Sequence, residues 1–190
     1  MLLSDHSPFH RHTLVAFALF FVVSLPLFCQ TVPVKTSICE AFAHPERFEG
    51  KLVEIKATYS ATFEGAWISD SACRDYLGEI VDSEQHGMAK EYADVVRDMK
   101  RKFALKGMAQ NEAWQEFNYA SSRLFTGMGP TQPDGTTVKY HSITADFVGV
   151  MVIRRNFKVR NGFGNGWGHL GASRFLLILT SVANVTPHPL

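Results

Sequence analysis

The chain lacks charge imbalance. Its 19 lysines and arginines nearly cancel its 18 aspartates and glutamates, leaving a formal net charge of +1. No global field therefore draws it toward nucleic acid or an anionic membrane. Catalytic signatures are missing too. There is no H-E-x-x-H pair, and His44, His86, His141 and His169 stand apart in sequence, so a zinc-protease motif is excluded. No serine sits in G-x-S-x-G, which removes a hydrolase elbow. Cysteine is scarce, at three residues. Two cysteines without paired histidines at ligand spacing do not make a zinc site. Internal repeats and low-complexity tracts are absent.

What is present is an ordinary globular mix, 46% apolar and 19% charged over 190 residues, with fifteen phenylalanines to fill a core. The length suits one domain. The amino end stands apart. Arg11, flanked by His10 and His12, precedes the uncharged run LVAFALFFVVSLPLF, Leu14 to Phe28. That run has signal-peptide length and falls short of the roughly 20 residues of a membrane span. Residues 1–29 are read as a signal peptide or an amino-terminal anchor, and residues 30–36 as an extended tether. The expected location is periplasmic or secreted, with membrane attachment only through an uncleaved amino-terminal segment. Bulky residues before Cys29 make a poor cleavage site. Export gives the remaining pair, Cys39 and Cys73, its meaning: one disulfide, the alternative being two unrelated buried thiols. A bridge closing about 35 residues contributes on the order of 3 kcal/mol.

Along residues 37–186 the periodicity changes twice. Ser37 caps a short helix over Ile38 to Ala43, with Glu40 placed as in a capping box, and Pro45 stops it. Leu52 to Tyr59 alternates apolar Val53, Ile55, Ala57 and Tyr59 with polar Glu54, Lys56 and Thr58, a half-buried strand. Glu64-Gly65 turns it into Ala66–Ser69. From Glu84 the apolar positions Met88, Tyr92, Val95, Val96, Met99 and Phe103 follow one helical stripe. Arg97, Lys100, Arg101 and Lys102 lie off it, a solvated face partly answered by Asp94 and Asp98. Glu112 to Phe125 resumes helical spacing. Ser142 to Arg155 is a long strand in which Gly149 marks a bulge or bend. Ser173 to Val182 is a buried strand, and Pro187 and Pro189 close a tail.

The segment ICEAFAHPERFEGKLVEIKA, Ile38 to Ala57, sets a short helix, Pro45, Phe48 and Gly50 before a strand alternating from Val53. It resembles the opening of OB-fold-like domains of exported bacterial proteins. GWGHLGASRF, Gly166 to Phe175, is similar to the last loop and strand of that group. The resemblance covers roughly residues 37–59 and 144–185, leaving residues 84–125 outside. It implies a mainly β (α+β) fold: an OB-like five-stranded barrel with a helical insertion between the early hairpin and the late strands. It also implies a binding or scaffold domain, and it supplies no catalytic residues.

Two stretches invite a site. NGFGNGWGHLG, Asn161 to Gly171, contains G-x-G-x-x-G, but the strand-forming FLLILTSV follows where a phosphate loop needs a helix. It reads as a strand-connecting loop. RRNFKVR, Arg154 to Arg160, holds four cations and one ring. Candidate binding residues are Arg154, Arg155, Phe157, Lys158, Arg160, Phe163, Trp167 and His169, against the plainer reading of a cation-rich strand edge. The functional expectation is a non-catalytic binding or scaffold domain for an extracytoplasmic protein or small ligand, without cofactor or metal. The alternatives are an envelope enzyme whose histidine and carboxylate residues meet only in three dimensions, and single-stranded nucleic-acid binding by the barrel face, cations holding phosphates and rings stacking on bases. Near-zero net charge and export both weigh against nucleic acid.

Overall fold

The computed structural model describes residues 32–62, 65–73, 76–82, 90–108, 110–125, 139–160 and 163–190. The signal or anchor segment, residues 1–29, lies outside them, as does the start of the first long helical stripe.

The chain begins with β1 (Val34–Thr36), α1 (Ile38–Ala43) and α2 (Pro45–Phe48), then β2 (Leu52–Thr62) and β3 (Gly65–Ser69). A 3-10 turn (Ser71–Cys73) leads into β4 (Leu77–Asp82). Two helices of 14 residues follow, α3 (Lys90–Phe103) and α4 (Glu112–Phe125). The chain then runs through β5 (Tyr140–Ile153), the two-residue strands β6 (Val159–Arg160) and β7 (Phe163–Gly164), a second 3-10 turn (His169–Gly171) and β8 (Phe175–Pro189).

The main sheet has six strands in the order β1-β2-β3-β4-β8-β5, and β5 also pairs with β2, Leu52↔Val150 through Tyr59↔Ile143. β1 lies parallel to β2 and β4 parallel to β8, while the other pairings are antiparallel. The expected mainly β, OB-like five-stranded fold is corrected to an α+β domain on a six-stranded mixed sheet, in which the β2–β5 pairing returns the run β2-β3-β4-β8-β5 to its first strand. The residues taken as an extended tether supply the sixth strand. Val34, Lys35 and Thr36 pair with Val53, Glu54 and Ile55, which puts otherwise unsatisfied backbone groups into a ladder. β4 was not visible as a strand, and the expected tail of Pro187 and Pro189 is the end of β8.

Local chemistry explains the elements. Ser37 Oγ accepts from the Glu40 N–H at 3.1 Å, the expected cap of α1. Pro45 ends α1 and, with no N–H to satisfy, opens α2. The expected bend at Gly149 is a register shift between Val148 and Gly149. A Cβ there would strike the Ile178 carbonyl. In β8, Phe175 to Leu179 are all buried because helices cover both faces of that strand. Phe175, Leu177 and Leu179 enter the larger core with Val53, Ile55, Phe147, Trp114 and Phe117. Leu176 and Ile178 face a smaller cluster with Val81, Val96 and Trp167.

Candidate redox and metal-ligand site

Cys39, second in α1, and Cys73, last in the first 3-10 turn, form a disulfide with Cα atoms 5.6 Å apart. The pairing expected from the cysteine count is present. Both residues are half-buried, and Cys73 packs against the larger core. A second contact holds the same two segments. Phe42 of α1 stacks on Tyr76, ring centroids 4.3 Å apart and planes 3° from parallel. Tyr76 in turn donates its N–H to the Cys73 carbonyl at 2.9 Å.

Asp70 completes the group. Its Oδ1 accepts from the Ala72 N–H at 2.9 Å, and its carbonyl accepts from the Cys73 N–H at 3.1 Å. This is an Asx turn that aims a carboxylate back over the cysteine it precedes. The two sulfurs and a carboxylate oxygen all lie within 4.8 Å of one another. Beside Asp70 opens a cavity of about 350 Å³, lined among others by Ser37, Lys56, Thr58, Ser69 and Ser71. Its walls are rich in hydroxyls, and it borders a half-buried carboxylate. In the sequence Asp70 reads as a solvated turn acid, and the one signal for it is the acid three residues before Cys73. Cys39 is 34 positions from Cys73, beyond the reach of any local motif. The expectation of a non-catalytic scaffold, unlikely to be an enzyme, is corrected by this group. It assembles two sulfurs and a carboxylate only in three dimensions.

The candidate binding residues have different surroundings. Arg154 is half-buried, its guanidinium 4.0 Å from the Trp167 ring centroid. Arg155 is exposed and pairs with Glu49 at 2.8 Å. Phe157 meets Phe42 edge-on at 6.5 Å. Lys158 and Arg160 point to solvent. Trp167 is 2% exposed, with Arg154 over its ring and Tyr92 at 5.2 Å. Its ring is committed to packing, not offered to a base. Phe163 lies in β7 and His169 opens the second 3-10 turn. The glycine stretch is a strand-connecting loop, as expected, and β8 follows it. Gly168 and Gly171 take φ of +73° and +64°, the left-handed region that glycine enters freely.

Two arrangements were not legible. His141 and His188 come together across β5 and β8, with ring centroids 5.8 Å apart and His188 Nε2 at 2.8 Å from Thr144 Oγ1. Glu79 of β4 lies half-buried against the glycine loop, where a Cβ on Gly168 would strike its carboxylate. Burial pushes its carboxyl from 4.5 up to about 7. Tyr59 is pushed up to about 12, by burial first and then by the Glu79 charge. Tyr92 is also raised, by burial foremost, while the Gly168 N–H donating to its hydroxyl works the other way.

No family model, no curated protein and no solved structure matches this chain. The resemblance to exported bacterial OB-fold-like domains is corrected by the fold, an α+β domain on a six-stranded mixed sheet.

Proposed function

We propose that the chain is a thiol–disulfide redox protein, with Cys39 and Cys73 as the reacting pair and Asp70 as the carboxylate that handles their protons. The observation that carries this reading is the Asp70 carboxylate lying within 4.8 Å of both sulfurs. The Asx turn fixes that carboxylate beside the bridge. The hydroxyl-lined cavity reaches Asp70, and both cysteines are half-buried.

The exchange needs a partner dithiol. A partner thiolate attacks one sulfur, the Cys39–Cys73 bond breaks, and a mixed disulfide forms. The departing thiolate takes a proton, and Asp70 is placed to relay it. The partner's second thiol loses its proton and attacks the mixed disulfide. The second cysteine leaves as a thiol. The partner ends as a disulfide, two electrons lighter, and the two protons stand on Cys39 and Cys73.

The test is reaction of the oxidised chain with a small dithiol under native conditions, followed by thiol titration. Both cysteines should become titratable while the fold persists. Asp70→Asn should slow the exchange roughly tenfold to a hundredfold, within the range of lost acid–base assistance, while still allowing the bridge to form. A bridge that opens only in denaturant, or an exchange rate indifferent to Asp70→Asn, overturns the reading.

The same geometry favours a second reading for the reduced state. Two thiolates and one carboxylate suit a tetrahedral zinc-type ion with one position left for water. The disulfide and the ion exclude each other, because only thiolates are effective ligands. Cobalt added to reduced protein should give thiolate charge-transfer absorption, and to oxidised protein none. Equal silence in both states removes this second reading and leaves the first standing.

A further inference from the structure

We infer that a cavity bordered by α2, α3 and the end of β5 binds a small anionic amphiphile, a carboxylate or phosphate monoester carrying a short hydrocarbon tail. The cavity has a volume of about 480 Å³, inside the roughly 300–1,000 Å³ range of small-molecule sites. It lies between α3, the turn after α2 and the end of β5. None of its lining residues belongs to the disulfide site.

Its lining divides into two chemistries. Pro45, Met99 and Val152 give a half-buried apolar wall. Lys102, Arg155 and Arg174 give three cations against two carboxylates, Glu46 and Glu49. Glu49 is engaged by one oxygen, which accepts from Arg155 Nε at 2.9 Å and from its Nη2 at 2.8 Å. Glu46 is 72% exposed at its side chain and lies 3.9 Å from His44. Arg174 is anchored, its Nη1 donating to the Phe42 carbonyl at 2.9 Å. Its Nε is buried with no acceptor among the described residues. A buried donor without an acceptor costs free energy that an incoming oxygen recovers.

The cationic character continues past Arg155. A neighbouring cavity shares Glu49 and Arg155 and adds Arg154 and Asn165. The three cations come from three separate elements. Lys102 is in the last turn of α3, where a cation also suits the helix dipole. Arg155 follows β5, and Arg174 precedes β8. Gly50 leaves the space beside Lys102 open. It has φ of +67°, and a Cβ there would sit 3.7 Å from Lys102 Nζ. An anionic head among Lys102, Arg155 and Arg174, with its tail along Met99, Val152 and Pro45, uses both halves of the lining. A bare ion uses one half only, and a cationic amphiphile meets the wrong charge.

Calorimetric titration of the full chain with octyl phosphate, octanoate, inorganic phosphate and octyltrimethylammonium tests this. Both octyl anions should bind, inorganic phosphate should bind at least about tenfold more weakly, and the ammonium should not bind. Lys102→Glu and Arg155→Glu should each weaken the octyl anions by roughly tenfold, the loss of one charge-assisted contact. Unchanged thermal melting would show that these exposed positions leave the fold intact. Absence of binding by both octyl anions overturns the inference. So does equal affinity for inorganic phosphate, or affinity that ignores both charge reversals. The tails of the two octyl anions differ by a single carbon, so a preference larger than about 1 kcal/mol, the worth of one CH2, tells carboxylate from phosphate as the preferred source.

Discussion

Two helices of the same length cover opposite faces of the sheet, and they do it differently. α4 sinks Trp114, Phe117 and Ala120 into the larger core. Phe117 meets Tyr59 at 5.1 Å and Phe147 at 5.5 Å, both edge-on. α3 buries Val96 fully, and Tyr92, Val95 and Met99 only in part, on Val81, Leu176 and Ile178. Polar groups gather beneath α3: the carboxyl of Glu79, the Trp167 indole with its buried Nε1 unpartnered among the described residues, and the Arg154 guanidinium over that ring. The face under α4 is the more heavily packed, although α4 also buries Arg123. The other face accepts weaker packing and keeps groups that can titrate or bind.

The largest test of this contrast is Phe147→Ala. Phe147 is fully buried among rings, and its loss should cost about 3–5 kcal/mol, read from denaturant midpoints. The second concerns Glu79. With its folded value near 7 against 4.5, the folded chain holds a proton that the unfolded chain has released. Stability should therefore be greatest below about pH 4.5 as far as this group is concerned. It should fall as pH rises toward about 7 and then level off, with a slope of at most about 1.4 kcal/mol per pH unit. Glu79→Gln should flatten that window, and melts at several pH values between 4.5 and 8 would show it. The smallest effect belongs to Val96→Ala, which removes two carbons from the thinner cluster and should cost about 1–2 kcal/mol. If Val96→Ala matched Phe147→Ala, the two faces would be energetically alike and the contrast would fail.

The same contrast explains what could be read in advance. α1 with its Ser37 cap, β2 and α4 follow single, clear periods because each presents one face to one core. β4 hides its period. In Leu77–Asp82, Ile80 and Val81 are adjacent because the strand feeds both clusters, and Gly78 interrupts where the Phe175 ring presses in. β1 has no period to show in three residues, and its strand state comes from β2. The cysteine pair was legible by elimination and Asp70 was not. Its role depends on an Asx turn and on a sulfur 34 positions away. Trp167 reads as a stacking ring only beside the cation-rich run Arg154 to Arg160, and in the fold Arg154 and Tyr92 close over it.

The stacked rings of Phe42 and Tyr76 have a consequence for the cysteines beside them. With the sulfur bond cut, that ring pair still latches α1 to the segment after Cys73, so the freed thiols remain neighbours instead of drifting apart with the chain. Their effective molarity toward each other stays high, and re-closure becomes a local event, fast and indifferent to protein concentration.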